Sequence, residues 1–408
     1  MHIVFLGNCQ AQTLAAIFRR YIGPYTEYSF DFVDAHCHIN DSSYERLNRA
    51  DIVIRQVSLR PPALSHDHIP TRAHVHDVPL VSGAFLWPYQ GNPHPNPQVP
   101  RYGNPPYPPE YTDRFLAKLL RAGTTPEAAL ELYRAHDVSQ AVNLARVFEL
   151  TCEAQAKLDA ICGFDFVGLI QNHLGSEQLF QSAFHFGPRI AREMTCILCD
   201  RLGIDPELRR RIAEHLTDSP FVPRFLPVHP SVARAFGMAW VTQTTTYPFL
   251  WEGSFTFDEY VIRFMEARWS PSLQEGIIDA ERGNLGAETK AKLQTGLREA
   301  PRSARGHHEM SRIAEHDGDM SRAIDLQRHA VALQPSAAFC IRLGRLLTLS
   351  QDNDGAADAF ARATQADPVS PGAWALLRDA LKKRGRLEEA AHAAAQAAAY
   401  APTRLAPP

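Results

Sequence analysis

Nowhere do the 408 residues offer the roughly 20 consecutive apolar positions that a helix needs to cross a bilayer, so no membrane span is expected. Cysteine is scarce and scattered. There are seven, spread over several helix-like stretches, which excludes a disulfide framework and suits a reduced, cytoplasmic protein. Positive charge is not in excess either: 42 Lys and Arg against 45 Asp and Glu leave a formal charge of −3, without the basic footprint of a nucleic-acid binder. The apolar run after Met1 is interrupted at once by Gly7-Asn8-Cys9-Gln10, so no secretory leader is expected. What remains is ordinary globular composition, 45% apolar and 21% charged, on a chain long enough for two or three domains.

The first 90 residues alternate apolar strands with helix-like or loop segments. Ile3–Leu6, Tyr28–Val33, Asp51–Val57 and Val78–Phe85 read as strands, and Leu14, Ile17, Phe18 and Tyr21 have helical spacing. This alternation predicts a small parallel sheet. Nine prolines between Pro88 and Pro109 preclude regular structure there and predict a surface loop or lid. From Thr112 to Ile204 the periodicity is helical almost throughout, and Pro220–Pro248 reads as irregular.

The last hundred residues repeat. Pro335, Pro368 and Pro402 lie 33 and 34 residues apart, and alignment on them brings out the tetratricopeptide pattern. Leu343, Gly344, Leu347, Ala356, Phe360 and Ala363 carry the middle unit; Trp374, Leu377, Leu381, Gly385, Ala390 and Ala397 carry the last. A degenerate first unit keeps Gly318, Ala323 and Ala330. Such arrays bury one unit's apolar face on the next, and they bind partners or self-associate. The expected organisation is therefore α/β but predominantly helical: a chemical domain over 1–269, a helical linker over 270–303 and a tetratricopeptide-like solenoid over 304–408.

Three constellations compete for the chemistry. Asp34, His36 and His38, followed by His66, His68, His74 and His76, have the look of a strand-end metal site of an amidohydrolase. An eight-stranded barrel, however, needs many more strand–helix units than this helical chain offers, so no metal is expected. Cys196 and Cys199 stand as a lone Cys-x-x-Cys inside an apolar helical pattern, which reads as core. The third is Gly7-Asn8-Cys9-Gln10, a strand-to-helix turn. A thiolate there is favoured by the positive end of the helix dipole, and unpaired backbone N–H groups suit an oxyanion. Its base cannot be found by spacing. His185, among aromatics before Gly187-Pro188, is the first choice, with His229 and His173 as rivals. Gln56 closes a strand on the same expected sheet edge, so Asn8, Gln10 and Gln56 are candidate donors to a developing oxyanion.

The Gly7-Asn8-Cys9-Gln10-Ala11 turn, the segment from Asp51 to Ser58, Phe85-Leu86-Trp87-Pro88-Tyr89 and the stretch Leu179–Met194 together resemble the WcbI family of polysaccharide-biosynthesis proteins. The likeness runs from Met1 to roughly Trp269, and the Gly-Asn-Cys block is also similar to the Gly-Asp-Ser block of SGNH esterases with the nucleophile changed. The WcbI resemblance implies a coenzyme A-dependent acetyltransferase, with Asn8, Cys9 and Gln10 at the family's cysteine. Relatives often carry a His-Pro pair where this chain has His185-Phe186-Gly187-Pro188. The expected chemistry is O-acyl transfer from acetyl-CoA to a sugar hydroxyl, with Cys9, His185 and Gln10 as catalytic candidates. Gly7, Asn8, Gln10, Gln56 and Arg60 would hold the coenzyme, and Arg19, Arg20 and Arg55 are further cations near in sequence. Cys9 either carries the acyl group or only seats the pantetheine thiol during direct transfer. A coenzyme-binding scaffold without turnover is the alternative, separable by measured acyl transfer.

Overall fold

The computed structural model describes residues 1–35, 40–59, 68–91, 95, 112–216, 226–249, 253–266 and 270–401. Contacts divide the chain into two compact units: the first covers Met1–Tyr247 and Thr256–Glu266, and the second includes 270–401.

The first unit is organised on four parallel strands, β1 (His2–Gly7), β2 (Ser29–Asp34), β3 (Ile52–Val57) and β4 (His74–Pro79), in the order β2-β1-β3-β4. Helix α1 (Cys9–Tyr21) connects β1 to β2, and α2 (Asp41–Asn48) lies between β2 and β3. β1 is flanked on both sides and its Ile3, Val4 and Phe5 are 0% exposed, which is why it reads as an unbroken apolar run. Alternate residues serve opposite faces. Phe5 packs on Phe18 of α1 with ring centroids 5.1 Å apart, whereas Val4 and Leu6 join Leu47 of α2 in a separate cluster. The chain leaves β1 toward β2 and later returns past it to β3. The carboxyl ends of β1 and β3 are thus the place where strand order reverses, the usual crevice for a ligand in such sheets.

After β4 the first unit is mostly helical: α3 (Arg114–Arg121), α4 (Pro126–Ala135), α5 (Val138–Ala141), α6 (Leu144–Cys162) and α7 (Phe166–His173). A two-stranded hairpin, β5 (Phe180–Ser182) and β6 (His185–Phe186), then precedes α8 (Pro188–Arg201), α9 (Pro206–His215), α10 (Pro230–Ala235) and α11 (Phe257–Glu266). Three expectations need correction. Helix α10 lies inside the stretch Pro220–Pro248 that reads as irregular. The fourth strand is His74–Pro79 rather than Val78–Phe85: β4 is an edge strand whose first residues, His74 and Val75, are exposed and only its last two buried, so it leaves no apolar run, while Ala84–Leu86 form a 3-10 turn. The hairpin interrupts the expected helical stretch, and strands of three and two residues are too short to leave a period. Most of the proline-rich segment lies outside the described residues.

The second unit is a stack of antiparallel helices: α12 (Pro271–Glu281), α13 (Ala287–Glu299), α14 (Ala304–His316), α15 (Met320–Leu333), α16 (Ala337–Leu349), α17 (Asn353–Ala366), α18 (Pro371–Lys383) and α19 (Leu387–Ala399). From α14 onward the pairs are tetratricopeptide-like. A Cβ on Gly344 would fall 2.5 Å from the Phe360 ring, so the helices of the middle pair approach only because that position is glycine. The turn between the helices of each pair needs a positive φ, supplied by Gly318 (82°), Gln351 (64°) and Gly385 (72°). The segment 270–303 forms α12 and α13, whose Leu273, Ile277 and Leu293 share a core with Met310 and Ile313 of α14. No helix of the described residues is long and apolar enough to cross a membrane.

Candidate active site

Cys9 is the first residue of α1 and is partly exposed. Asn8 caps the helix in extended conformation, its Oδ1 accepting from Gln10 N at 2.9 Å. The Asn8 N–H in turn donates to Gln56 Oε1 at 2.9 Å, tying the ends of β1 and β3 together. This bond needs Gly7. A Cβ there would lie 2.6 Å from Gln56 Cβ and 2.7 Å from its Oε1.

The centre of the clasp is Gln10, 1% exposed. Its Oε1 accepts from Gln56 Nε2 (3.0 Å) and Val81 N (3.1 Å), and its Nε2 donates to Val81 O (2.6 Å) and Phe184 O (3.0 Å). Both lone pairs and both hydrogens are occupied. One side chain thus joins α1, β3, the segment after β4 and the β5–β6 hairpin. The Phe184 carbonyl also lies 3.7 Å from Cys9 Sγ, so His185, the next residue, starts beside the thiol. The His185 ring is anchored through Nδ1 to the Ser182 hydroxyl at 2.7 Å. Gly83 N donates to Ala183 O at 2.9 Å and Leu226 N to Gln181 O at 2.7 Å, fixing the hairpin from two sides.

The remaining described cysteines differ in setting. Cys152, Cys162, Cys196, Cys199 and Cys340 all have thiols pushed up by burial, Cys162 and Cys199 to about 12. They are poor thiolates, and Cys196 and Cys199 belong to the core of α8. Among the described cysteines, Cys9 alone opens a helix.

A family model for the polysaccharide biosynthesis enzyme WcbI matches residues 2–207. The chain belongs to the WcbI family. A solved WcbI structure, described as the native protein without a disulfide bond between coenzyme A and one of its cysteines, is 16% identical, covers 73% of this chain and 98% of its own, and has a TM-score of 0.47. A crystal structure of MamA is 19% identical over 32% of this chain and 75% of its own, TM-score 0.30. YrrB, a tetratricopeptide protein with an unusual peptide-binding site, is 16% identical over 32% of this chain and 68% of its own, TM-score 0.30. No curated protein matches the chain.

The structure brings together most of the residues singled out in this WcbI-family sequence. Gly7, Asn8, Cys9, Gln10, Gln56 and the hairpin bearing His185 are joined by the hydrogen bonds and close approaches around the end of β1. Gln10 is corrected in role: with Nε2 spent on two carbonyls it has no hydrogen left for an oxyanion. The rival histidines are structural. His229 is 4% exposed between Ser231 Oγ and Tyr133 O, both at 2.8 Å, and burial lowers its pKa. His173 lies 3.2 Å from Glu177 and 3.1 Å from Arg189. Arg55 is held by both oxygens of Asp77 at 2.7 Å, and Arg19 by Phe30 O and Asp31. Arg60, His36, His38 and His66 lie outside the described residues. Among the described residues no three His, Cys, Asp or Glu side chains gather as a metal site. Ser182, Val81 and Phe184 are not among the sequence candidates. The last two act through backbone atoms, which no residue type advertises, and Ser182 shows its meaning only once the hairpin pairs it with His185.

Proposed function

We propose that the first unit is an acyltransferase of polysaccharide biosynthesis that moves an acetyl group from acetyl-CoA to a sugar hydroxyl through Cys9. The observation that carries the reading is the partly exposed thiol at the start of α1, set at the strand-order reversal and backed by the hairpin of His185. The helix start favours the thiolate. That thiolate attacks the thioester carbonyl, the carbonyl electron pair moves to oxygen, and collapse expels the coenzyme A thiolate, leaving acetyl-Cys9. Exchange of one thioester for another is close to balanced. A sugar hydroxyl then attacks, the ester forms, and the hydroxyl proton goes to the departing Cys9 sulfur. Asn8 has its Oδ1 engaged by the helix, and its Nδ2 hydrogens serve the developing oxyanion together with the helix-start N–H groups. We assign partner binding or self-association to the repeats, whose consensus residues are spent on helix packing.

Cys9→Ala tests this. The variant is expected to stay folded and keep most coenzyme affinity, while acetyl transfer falls at least about a hundredfold. Wild type given acetyl-CoA without acceptor is expected to gain one acetyl group on the peptide holding Cys9, read by mass spectrometry. A fully active Cys9→Ala removes the proposal. Lost activity with an unmodified Cys9 redirects it to direct transfer.

A further inference from the structure

Repeat symmetry says what each junction between successive helical pairs of the second unit would contain, and one junction departs from it. Between the first and second tetratricopeptide-like pairs, Arg342 of α16 donates to Glu315 of α14 at 2.6 Å, an ion pair that bridges the two helices. The corresponding positions one repeat later, 34 residues after Arg342 and 33 after Glu315, are Leu376 of α18 and Thr348 of α16. These two side chains cannot form the bridge. Thr348 turns its hydroxyl back to Gly344 O at 2.8 Å. The space stays open as a cavity of about 370 Å³ between α16, α17 and α18, lined by Phe360, Leu376 and a leucine that is 64% exposed, Leu349. An apolar hollow of this kind is where an interface gains most from one anchoring side chain.

The charges around the hollow are in effect of one sign. Arg345 and Lys383 line it, both exposed and neither in an ion pair among the described residues. Asp379, the carboxylate among the lining residues, is held by Arg378 through both oxygens at 2.7 and 2.9 Å. We propose that the hollow takes an acidic segment of a partner protein, which seats an apolar side chain on Phe360 and Leu376 while its carboxylates pair with Arg345 and Lys383. The proposal deepens the assignment of partner binding to the repeats and rests on it. The two cations draw an acidic segment in, and the apolar floor holds it. Charge alone would suit any polyanion; the floor selects a segment that carries both kinds of group.

Fluorescence anisotropy on the full chain tests this with a labelled dodecapeptide built from four Glu-Leu-Asp units. Binding is expected to saturate. The same peptide with serine in place of leucine, or the protein carrying Arg345→Glu with Lys383→Glu, should bind at least about tenfold more weakly. The decisive variant copies the closed junction into the open one: Thr348→Glu with Leu376→Arg fills the hollow with an ion pair and should abolish binding, while circular dichroism and thermal unfolding remain those of a folded array. A peptide that never saturates, a serine peptide that binds equally well, or indifference to the two charge reversals overturns the proposal. So does displacement of the leucine peptide by polygalacturonate as readily as by its own unlabelled form, which would make this a polyanion site. Sedimentation of the full chain keeps the broader assignment apart. A self-associated chain whose mass is untouched by Thr348→Glu with Leu376→Arg, and which binds no peptide, retains an assembly surface elsewhere on the repeats and loses this one. A chain whose oligomer is broken by that pair makes a second copy the occupant and overturns the acidic partner. Should the double variant fail to fold, the exposed charge reversals and the serine peptide still decide.

Discussion

Gln10 is the residue on which the geometry around Cys9 turns, and replacing it by leucine asks how much. The substitution keeps the volume and removes four hydrogen bonds, leaving Val81 N–H, Val81 C=O, Phe184 C=O and Gln56 Nε2 without the partner they have now. Val81 is 0% exposed, so its two backbone groups lose solvation as well as a partner. Gln56 is only partly buried and recovers much of its loss from water. At about 1–3 kcal/mol for each buried orphan and less for the others, Gln10→Leu is expected to cost about 4 kcal/mol. Urea unfolding followed by circular dichroism should lose at least about 1 M in the midpoint of the first unit. Hydrogen exchange at the Val81 amide should speed up alongside it. Gln10→Glu sharpens the test. One carboxyl oxygen would sit where Nε2 now meets two carbonyl oxygens, which favours the protonated acid and raises its pKa above the unfolded value of about 4.3. A raised folded-state pKa means that the protonated form is the stabilised one. Stability is therefore retained below about pH 4.3 and lost as pH rises through the folded-state value. If Gln10→Leu lies within about 1 kcal/mol of wild type and Gln10→Glu is equally stable at pH 5 and 8, the clasp does not hold the site together.

Gly7→Ala is expected to cost about 3 kcal/mol, since its methyl carbon would stand 2.6 Å from Gln56 Cβ and 2.9 Å from Ala11 Cβ and push Gln56 off the Asn8 amide. Thermal unfolding within about 1 kcal/mol of wild type would contradict that crowding. In the second unit, burial brings the His308 pKa from 6.5 down to about 4, with its Nδ1 bonded to Gln327 Oε1 at 3.0 Å and its ring stacked on Phe339. Here the folded state prefers the neutral ring, so stability is complete above about pH 6.5 and is lost as pH falls toward 4, by roughly 3 kcal/mol in all. His308→Gln should remove that dependence, and an unchanged pH profile of unfolding in the variant would refute it.

How much of the fold is legible in the sequence depends on what each element leaves in the chain. β1 and α1 are plain because a two-sided strand is a solid apolar run and an amphipathic helix has a period. The glycine between them is fixed by the contact it permits. The repeats are plain for a related reason: Gly344 and Phe360 are a packing pair, so their spacing is the structure. β4 misleads because an edge strand mixes exposed and buried positions, and the stronger apolar run at Val81–Phe85 comes after it without pairing. In the hairpin, Phe180, Gln181 and Ser182 are all buried, so no alternation marks a strand. Residue types identify Cys9 and His185 as candidates. They misjudge Gln10, because a glutamine beside a nucleophile looks the same whether its hydrogens are free or held by Val81 and Phe184.

Backbone contacts of this kind also explain why the recognisable motif is so short. The position of Cys9 depends on Gln10, and Gln10 is gripped by the backbone of residues 81 and 184 and by one side chain, Gln56. Any residue type at 81 or 184 presents the same carbonyl, provided the local path is kept. What the path demands of side chains is indirect: Gly83 must stay bare because Phe180 lies 2.4 Å from where its Cβ would be, and Ser182 must meet His185. A site held in this way concentrates its side-chain requirements in four adjacent residues, Gly7 to Gln10, and disperses the rest over single positions far apart in the chain. The Gly-Asn-Cys-Gln turn is therefore where sequence likeness is sharp, and the segments that hold it are related to it only through the fold.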